Sequence, residues 1–232
     1  YNIAKKKDLV SADYNEDGVV DLKSEYVFAH AYYASSFDKG GKTSYMEDIT
    51  RAFLDGRKLI TSANGEKLTD AQRSELMGYV AIISENWQKV IAESVFKYAG
   101  STYKSLVALE DVSNDDLAKE FGKYMKYWGE LKGFSMALQV GKDNIGESAT
   151  KLNRMIGFGP MLMDETQIIG IDSKGNYIMD KIYSMNDAKL HMLKIQKLMI
   201  DKFGVEAKSN DMLADMADLA SKIGTSESAE ND

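Results

Sequence analysis

Apolar residues recur every three to four positions along most of this chain, which is the spacing of an amphipathic α-helix. The spacing predicts a first helix over about 22–37 and a second helix that ends at Asn64-Gly65. Capping boxes at Ser44–Glu47 and Thr69–Gln72 predict the starts of the second and third helices. The inward stripe of the second helix is predicted to consist of Met46, Ile49, Phe53 and Ile60.

Two longer stripes follow. The third helix is predicted to run to about Tyr98, with Gly100 as a kink or an end, and a fourth helix to begin near Ser113–Asp116. Because both stripes step by four and three residues, we expect them to pack against each other at an angle of about +20°. The first stripe is Leu76, Val80, Ile83, Trp87, Val90 and Ser94, and the second is Leu117, Phe121, Tyr124, Trp128, Leu131, Ser135 and Leu138.

The chain is less regular between residues 141 and 186. A short helix is expected near 148–156, and residues 170–178 predict two extended arms around a turn at Lys174-Gly175. Two further helices are predicted. One is capped by Asn186 and runs to Phe203 with Gly204 as its stop, and the other spans about 210–223. The inward residues of the Asn186–Phe203 helix are predicted to be Ala188, Met192, Ile195 and Met199.

The stretch 13–25 has the alternating oxygen donors of an EF-hand-type calcium loop. Gly18 occupies the sixth position, where such a loop turns sharply. The twelfth position is Ser24 instead of Glu, so we expect a variant or weak calcium site that fixes the start of the first helix; the alternative is an acidic turn without metal. The candidate ligands are Asp13, Asn15, Asp17, Val19 through its carbonyl, Asp21 and Glu25.

Composition narrows the possible partners and compartments. The 232 residues suffice for one large domain or two small ones, and the net charge of −7 argues against nucleic acid as a partner. The longest apolar runs are too short for a transmembrane segment. The chain has no cysteine, and it begins at Tyr1 without a signal peptide, so we expect a processed product.

A second candidate site lies on the fourth helix. Gly129 and Gly133 are four residues apart, so they share one helical face and allow another backbone to approach. Glu130 and Lys132 flank the apolar stripe next to Trp128, where they form a possible functional crevice with an acid and a base. The alternative is a rim of surface charges beside a tight helix crossing.

The two histidines show no metal-binding spacing. His30 shares a face with two tyrosines and is expected to be a core histidine. His191 lies beside the inward stripe of a late helix and is expected to be partly exposed.

The order of four motifs resembles the C-terminal part of the bacterial imelysin-like family, the domain of unknown function four-eight-five-six. The resemblance covers most of 13–204. It implies a helical fold of two bundles, export to the periplasm or cell surface, and in many members an outer-membrane lipoprotein anchor. The motifs are Leu22–Glu25, Phe53–Arg57, Trp128–Phe134, and Met155–Gly157 leading into Pro160.

The resemblance also suggests functions. Related imelysin proteins are linked to iron uptake, and some were proposed to be metallopeptidases. Two departures stand out: Tyr127-Trp128 occurs where the family has His-Trp, and the family's N-terminal half is not in this chain.

We therefore predict an all-α, up-and-down helical bundle that forms a single domain over 1–224, with a disordered tail over 225–232. The predicted function is that of an exported, non-enzymatic, calcium-stabilised binding or scaffold protein that serves iron or haem acquisition. One alternative is a metal-dependent peptidase whose site needs the N-terminal half. Another is a partner-binding module that uses residues 160–180. The expected partners are calcium and either an N-terminal fragment or a second copy of the chain.

Overall fold

The computed structural model describes residues 16–18, 29–141 and 145–223, and helices dominate them. This confirms the all-α class, whereas the imelysin-like bundle remains a prediction. The elements in chain order are α1 (Ala29–Asp38), α2 (Tyr45–Ser62), α3 (Asp70–Glu110), α4 (Leu117–Gln139), α5 (Glu147–Ile156), β1 (Gln167–Ile171), β2 (Tyr177–Asp180), α6 (Met185–Phe203) and α7 (Met216–Ile223).

The chain divides into two compact units, one up to Ile91 and one from Ala92 onward, and α3 contributes residues to both. Because α3 contributes residues to both units, this division does not test the single domain predicted over 1–224, which stays a prediction. None of the described helices is both long and apolar enough to cross a membrane.

In unit 1, the N-terminus of α2 is capped by a side chain from the end of α1. The carboxylate of Asp38 accepts hydrogen bonds from the main-chain N–H groups of Tyr45 at 2.9 Å and Met46 at 2.7 Å. The capping box predicted at Ser44 is therefore wrong: Ser44 makes no side-chain cap and donates to Asp48 instead. An acceptor from the end of α1 satisfies the same free N–H groups that a local cap would satisfy.

The buried face of α2 differs from the predicted stripe, because Phe53 and Ile60 are exposed. A Cβ atom added at Gly56 would lie 3.4 Å from Leu76 of α3. Helix α3 thus approaches α2 closely at Gly56. Phe53, although half exposed, still contacts α3, because its ring centre lies 5.8 Å from that of Trp87. The residues of α2 that are buried are Tyr45, Ile49, Ala52 and Gly56.

The capping box at the start of α3 is confirmed: Thr69 and Gln72 exchange hydrogen bonds between side chains and main-chain N–H groups at 3.0 and 3.2 Å. The predicted end near Tyr98 or Gly100 is wrong, since α3 continues to Glu110. A Cβ atom at Gly100 would lie 2.0 Å from the carbonyl oxygen of Asn210. The glycine therefore permits a close backbone approach within a continuous helix.

Unit 2 has a core of side chains from α3, α4, α5 and α6. Four of the seven residues of the predicted α4 stripe are buried, and so are the four predicted inward residues of α6, which is buried at ten positions in all. Helix α6 begins two residues earlier than predicted, because its N-cap is Ser184, in a capping box with Asp187, instead of Asn186. It stops at Gly204 as predicted. The buried α4 residues are Tyr124, Leu131, Ser135 and Leu138.

Residues 204–212, here named the clamped loop, follow α6 and are held by two buried polar side chains. Glu93 of α3 is fully buried, and its carboxylate accepts three hydrogen bonds from the main-chain N–H groups of Glu206, Ala207 and Lys208, at 2.5, 2.7 and 3.1 Å.

Gln196 of α6 holds the other end of the clamped loop. Its Nε2 donates to the carbonyl oxygens of Phe96 and Asn210, and its Oε1 accepts from the N–H of Met212, all within 3.0 Å. Buried main-chain groups need such partners, so the two side chains let an irregular segment lie against the core.

Candidate functional site

The predicted calcium loop lies mostly outside the described residues, which include only residues 16–18 of it. There Gly18 has φ +85°, the left-handed conformation that the sharp turn at the sixth loop position requires. Within the described part of the chain no group of three His, Asp or Glu residues is placed to hold a metal. Asp17 is exposed, and the other five candidates lie outside the described residues: Asp13, Asn15, Val19, Asp21 and Glu25.

Trp128 and Lys132 of the predicted crevice are brought together at the end of α5. Trp128 Nε1 donates to the carbonyl oxygen of Ile156 at 3.0 Å, and Lys132 Nζ donates to that of Gly157. The Lys132 ammonium also lies 5.9 Å from the centre of the Trp128 ring, and burial lowers its pKa. Both side chains thus satisfy carbonyl groups that the end of a helix leaves free.

The rest of the crevice is not assembled by the described residues. Apart from the chain neighbours and the adjacent backbone of α4 itself, no described atom lies within 4 Å of a Cβ added at Gly129 or Gly133, and both glycines are exposed. Glu130 faces Lys126 at 3.9 Å, while one of its oxygens is buried without a hydrogen-bond partner among the described groups. The close backbone approach expected here is therefore not made within residues 29–141 and 145–223.

The histidines lie in separate packing environments. His30 is half-buried in unit 1 and stacks on Trp87 with ring centres 5.6 Å apart, and burial lowers its pKa. His191 is fully buried against Tyr183 with ring centres 4.9 Å apart, so the expectation of partial exposure is wrong. Burial lowers the pKa of His191 to about 4. Both rings contribute to packing in their own unit.

An open groove of about 610 Å³ runs beside the N-terminal half of α2 in unit 1. Its charged residues are largely paired with each other: Arg51 with Glu47, and Lys58 with Asp55 at 3.0 Å. Asp38, at one end, is occupied in capping α2. The groove is therefore a solvent-accessible surface lined by paired charges.

The most distinctive feature of unit 2 is the β1–β2 hairpin, residues 167–180, here named the arm. Its strands are antiparallel, with Ile171 opposite Tyr177 and Gly170 opposite Ile178, and β1 has an irregularity between Ile168 and Gly170. The turn predicted at Lys174-Gly175 is confirmed.

The turn is formed by local hydrogen bonds. The carboxylate of Asp172 accepts from the N–H groups of Lys174 and Asn176, both at 2.8 Å, and Gly175 has φ +85°. Such Asx bonding with a glycine in the left-handed region defines a tight connection between two strands.

The base of the arm is fixed to the body of unit 2. Gln167 is buried; its Nε2 donates to the carbonyl oxygens of Glu165 and Tyr183, and its Oε1 accepts from the N–H of Ile182 at 2.7 Å. These bonds join the two strand ends at one side chain. The arm therefore leaves the helices from a defined point.

The outer edge of β2 is open. Asp172 donates its N–H to the carbonyl of Asn176, and main-chain groups alternate between the two edges of an antiparallel strand. The groups of Ile178 consequently face β1, and those of Tyr177 and Met179 face away from it. No described strand pairs with that edge, since the sheet has the order β1–β2.

Both faces of the arm are apolar and exposed. Tyr177 is 67% exposed and Ile171 55%, and Met179, on the same face, is 46% exposed. Ile178, on the opposite face, is 45% exposed. Isolated exposed apolar residues are ordinary, but a contiguous group of them is typical of an interaction site.

The sequence predicted this hairpin, and one alternative made residues 160–180 a partner contact, but the pattern of the strands themselves did not predict that both faces are exposed. Consecutive apolar residues in a strand are typical of a strand covered on both faces. Exposure of the hairpin was indicated by the lack of further predicted strands in a helical chain, because a two-stranded sheet needs neighbouring elements to cover it.

The chain was compared with protein-family models, curated proteins and solved structures, and none of them matched. The resemblance to the imelysin-like family therefore stays an expectation from the motifs alone.

Proposed function

We propose that this chain is a non-enzymatic binding or scaffold protein and that the arm is its contact surface, which accepts an extended strand of a partner polypeptide. The observation that carries the proposal is the open edge of β2 between two exposed apolar faces. An added strand gains main-chain hydrogen bonds along the edge and apolar contacts on alternate side chains.

The fixed base of the arm supports this function. A partner that binds a segment already held in place loses less conformational freedom than one that must order it. Gln167 provides this order through three hydrogen bonds to main-chain groups at the strand ends. The arm is therefore already ordered in the absence of a partner.

The residues first considered for catalysis favour binding over hydrolysis. Trp128 and Lys132 both donate to carbonyl oxygens at the end of α5, and these bonds hold the helix end in place. A lipid surface fits the arm less well than a protein does, because free main-chain groups at the β2 edge are costly in hydrocarbon. The net charge of −7 also opposes binding to anionic lipid.

The proposal is tested with a fluorescein-labelled peptide of alternating threonine and valine, whose binding to the whole chain is followed by fluorescence anisotropy. We expect saturable binding, and Met179→Lys should weaken it at least about tenfold because a charge then lies at the accepting edge. Met136→Lys is the matched control, since Met136 is 55% exposed on α4.

Two outcomes would contradict the proposal. One is an anisotropy unchanged by the peptide. The other is equal binding by wild type and Met179→Lys. Binding of the chain to phosphatidylcholine vesicles, lost in Met179→Lys but not in Met136→Lys, would assign the arm to membranes instead.

Calcium is the proposed structural cofactor, supported by the left-handed Gly18 within the acidic loop. Calcium at about a hundred times its Kd should stabilise the fold by about 2.7 kcal/mol. Asp17→Ala should abolish that gain, and Asp115→Ala, an exposed acid outside the loop, should preserve it. Identical thermal unfolding in calcium and in chelator would exclude the site. Stoichiometric iron or zinc in the purified protein would favour the hydrolase alternative.

The resemblance to the imelysin-like family extends this proposal to an exported protein, periplasmic or at the cell surface, that serves iron or haem acquisition. Fractionation of cells that produce the full-length protein checks the compartment.

A further inference from the structure

We propose that the strand accepted by the arm comes from a second copy of this chain, so that two β2 strands pair antiparallel in a four-stranded sheet. This inference rests on the proposed function, because it requires that the β2 edge accept a strand. It adds the identity of the partner and the register of the contact.

The register follows from the direction of the main-chain groups. Only Tyr177 and Met179 present their N–H and C=O groups to the open edge of β2, so these residues form the hydrogen-bonded pairs with a new strand. A symmetric antiparallel arrangement pairs Tyr177 of one copy with Met179 of the other, twice. Ile178 then lies opposite itself on the two-fold axis.

The side chains suit this register. On one face Tyr177 lies beside Met179 of the second copy, and an aromatic ring and a thioether make favourable contacts. On the other face the two Ile178 side chains meet. Asp180 lies opposite Asn176, and Lys181 lies opposite Gly175, so like charges do not face each other directly across the strand pair.

Pairing also completes an otherwise weak element. A two-stranded hairpin is marginally stable in water, whereas a sheet of three or more strands with apolar faces is stable. All four residues of β2 are exposed, so this strand now lacks cover on both faces. The second copy supplies two additional strands and covers the apolar side chains at the junction.

The expected dimer is weak and strengthened by salt. The junction involves few residues of each β2 strand, so we expect it to bury less than the roughly 1,200 Å² of stable complexes and to form only at micromolar or higher concentrations. Each copy carries a net charge of −7, so the copies repel each other until salt screens the charge. An interface built on ion pairs would weaken with salt instead.

Sedimentation equilibrium on the whole chain, from about 10 µM to about 1 mM, tests the inference. The mass should rise from 25.9 kDa toward twice that value, and more steeply at higher salt. Ile178→Lys alone and Ile178→Glu alone should each remain monomeric, because two like charges would meet on the axis. An equal mixture of the two variants should recover the dimer, since lysine then faces glutamate.

Recovery of the dimer by the mixture would show that each single variant is folded and is kept monomeric by charge repulsion. A wild-type mass that stays at 25.9 kDa over the whole range overturns the inference, and so does a mixture that remains monomeric. If the threonine–valine peptide still binds under those conditions, the proposed function stands and only the second copy as partner is rejected. If neither peptide nor copy binds, both proposals fail.

Discussion

The clamped loop and the arm are two non-helical segments of unit 2 that satisfy their main-chain hydrogen-bonding groups in opposite ways. The clamped loop lies against α3 and α6, where Glu93 and Gln196 satisfy its main-chain groups. The arm satisfies one edge of each strand within the hairpin and leaves the outer edge of β2 open. The first lies against buried side chains of the core and buries its own Val205, and the second projects apolar side chains into solvent.

This difference separates a structural segment from an interacting one. Burial of an irregular segment requires a partner for every main-chain group, and α3 and α6 provide those partners in the form of costly buried polar side chains. The open β2 edge has main-chain groups and apolar surface still available. Stability should therefore depend strongly on the clamped loop and weakly on the arm, and association should show the reverse dependence.

The largest expected effect is at Glu93. Glu93→Ala removes a buried carboxylate that accepts from three N–H groups of the clamped loop, so we expect the free energy of unfolding to fall by about 4 kcal/mol. Glu93→Gln can keep the bonds from Glu206 and Ala207 and lose the one from Lys208, at a cost of about 1.5 kcal/mol. Urea denaturation measures both values.

Glu85→Ala, at an exposed position earlier in α3, is the control for Glu93 and should change stability by no more than about 0.5 kcal/mol. If Glu93→Ala were as harmless as Glu85→Ala, the clamped loop would not depend on the carboxylate, and the contrast with the arm would lose its basis.

The next effect concerns Gly100. Gly100→Ala would place a Cβ 2.0 Å from the carbonyl oxygen of Asn210, so the clamped loop must move, at a cost of about 3 kcal/mol. The same change at Gly129 meets open space in an exposed helix and should stabilise by about 0.5–1 kcal/mol. Thermal unfolding of the two variants compares them, and a shift of the same sign in both would contradict the close approach at Gly100.

The smallest effect on stability is expected in the arm. Met179→Lys alters an exposed side chain and should change the free energy of unfolding by no more than about 0.5 kcal/mol. Amide hydrogen exchange sharpens the comparison: the N–H groups of Ala207 and Lys208 should be protected, and those of Tyr177 and Met179 should exchange rapidly at low protein concentration. Strong protection of Met179 in dilute monomer would mean that the β2 edge is already covered.

Local features of the chain were determined by its sequence alone. The capping box of Thr69 and Gln72, the turn at Lys174-Gly175 and the stop at Gly204 depend on residues within a few positions of each other, so spacing and residue type suffice to predict them. The apolar stripes of α4 and α6 are likewise local, because helical periodicity alone assigns a residue to a face. The calcium loop was predicted from the same kind of pattern and remains to be tested.

Only the tertiary structure decided which residues distant in the sequence contact each other. Asp38 caps α2 in place of Ser44, Asn210 explains why α3 continues through Gly100, and His191 is enclosed instead of partly exposed.

The candidate sites show the same limit. The crevice side chains Trp128 and Lys132 became helix-end donors only because α5 ends beside them, and the arm became a surface only because no described strand covers β2. Each depends on contacts between residues far apart in the chain. Spacing in the sequence does not encode such distances, since they are fixed only when the helices pack.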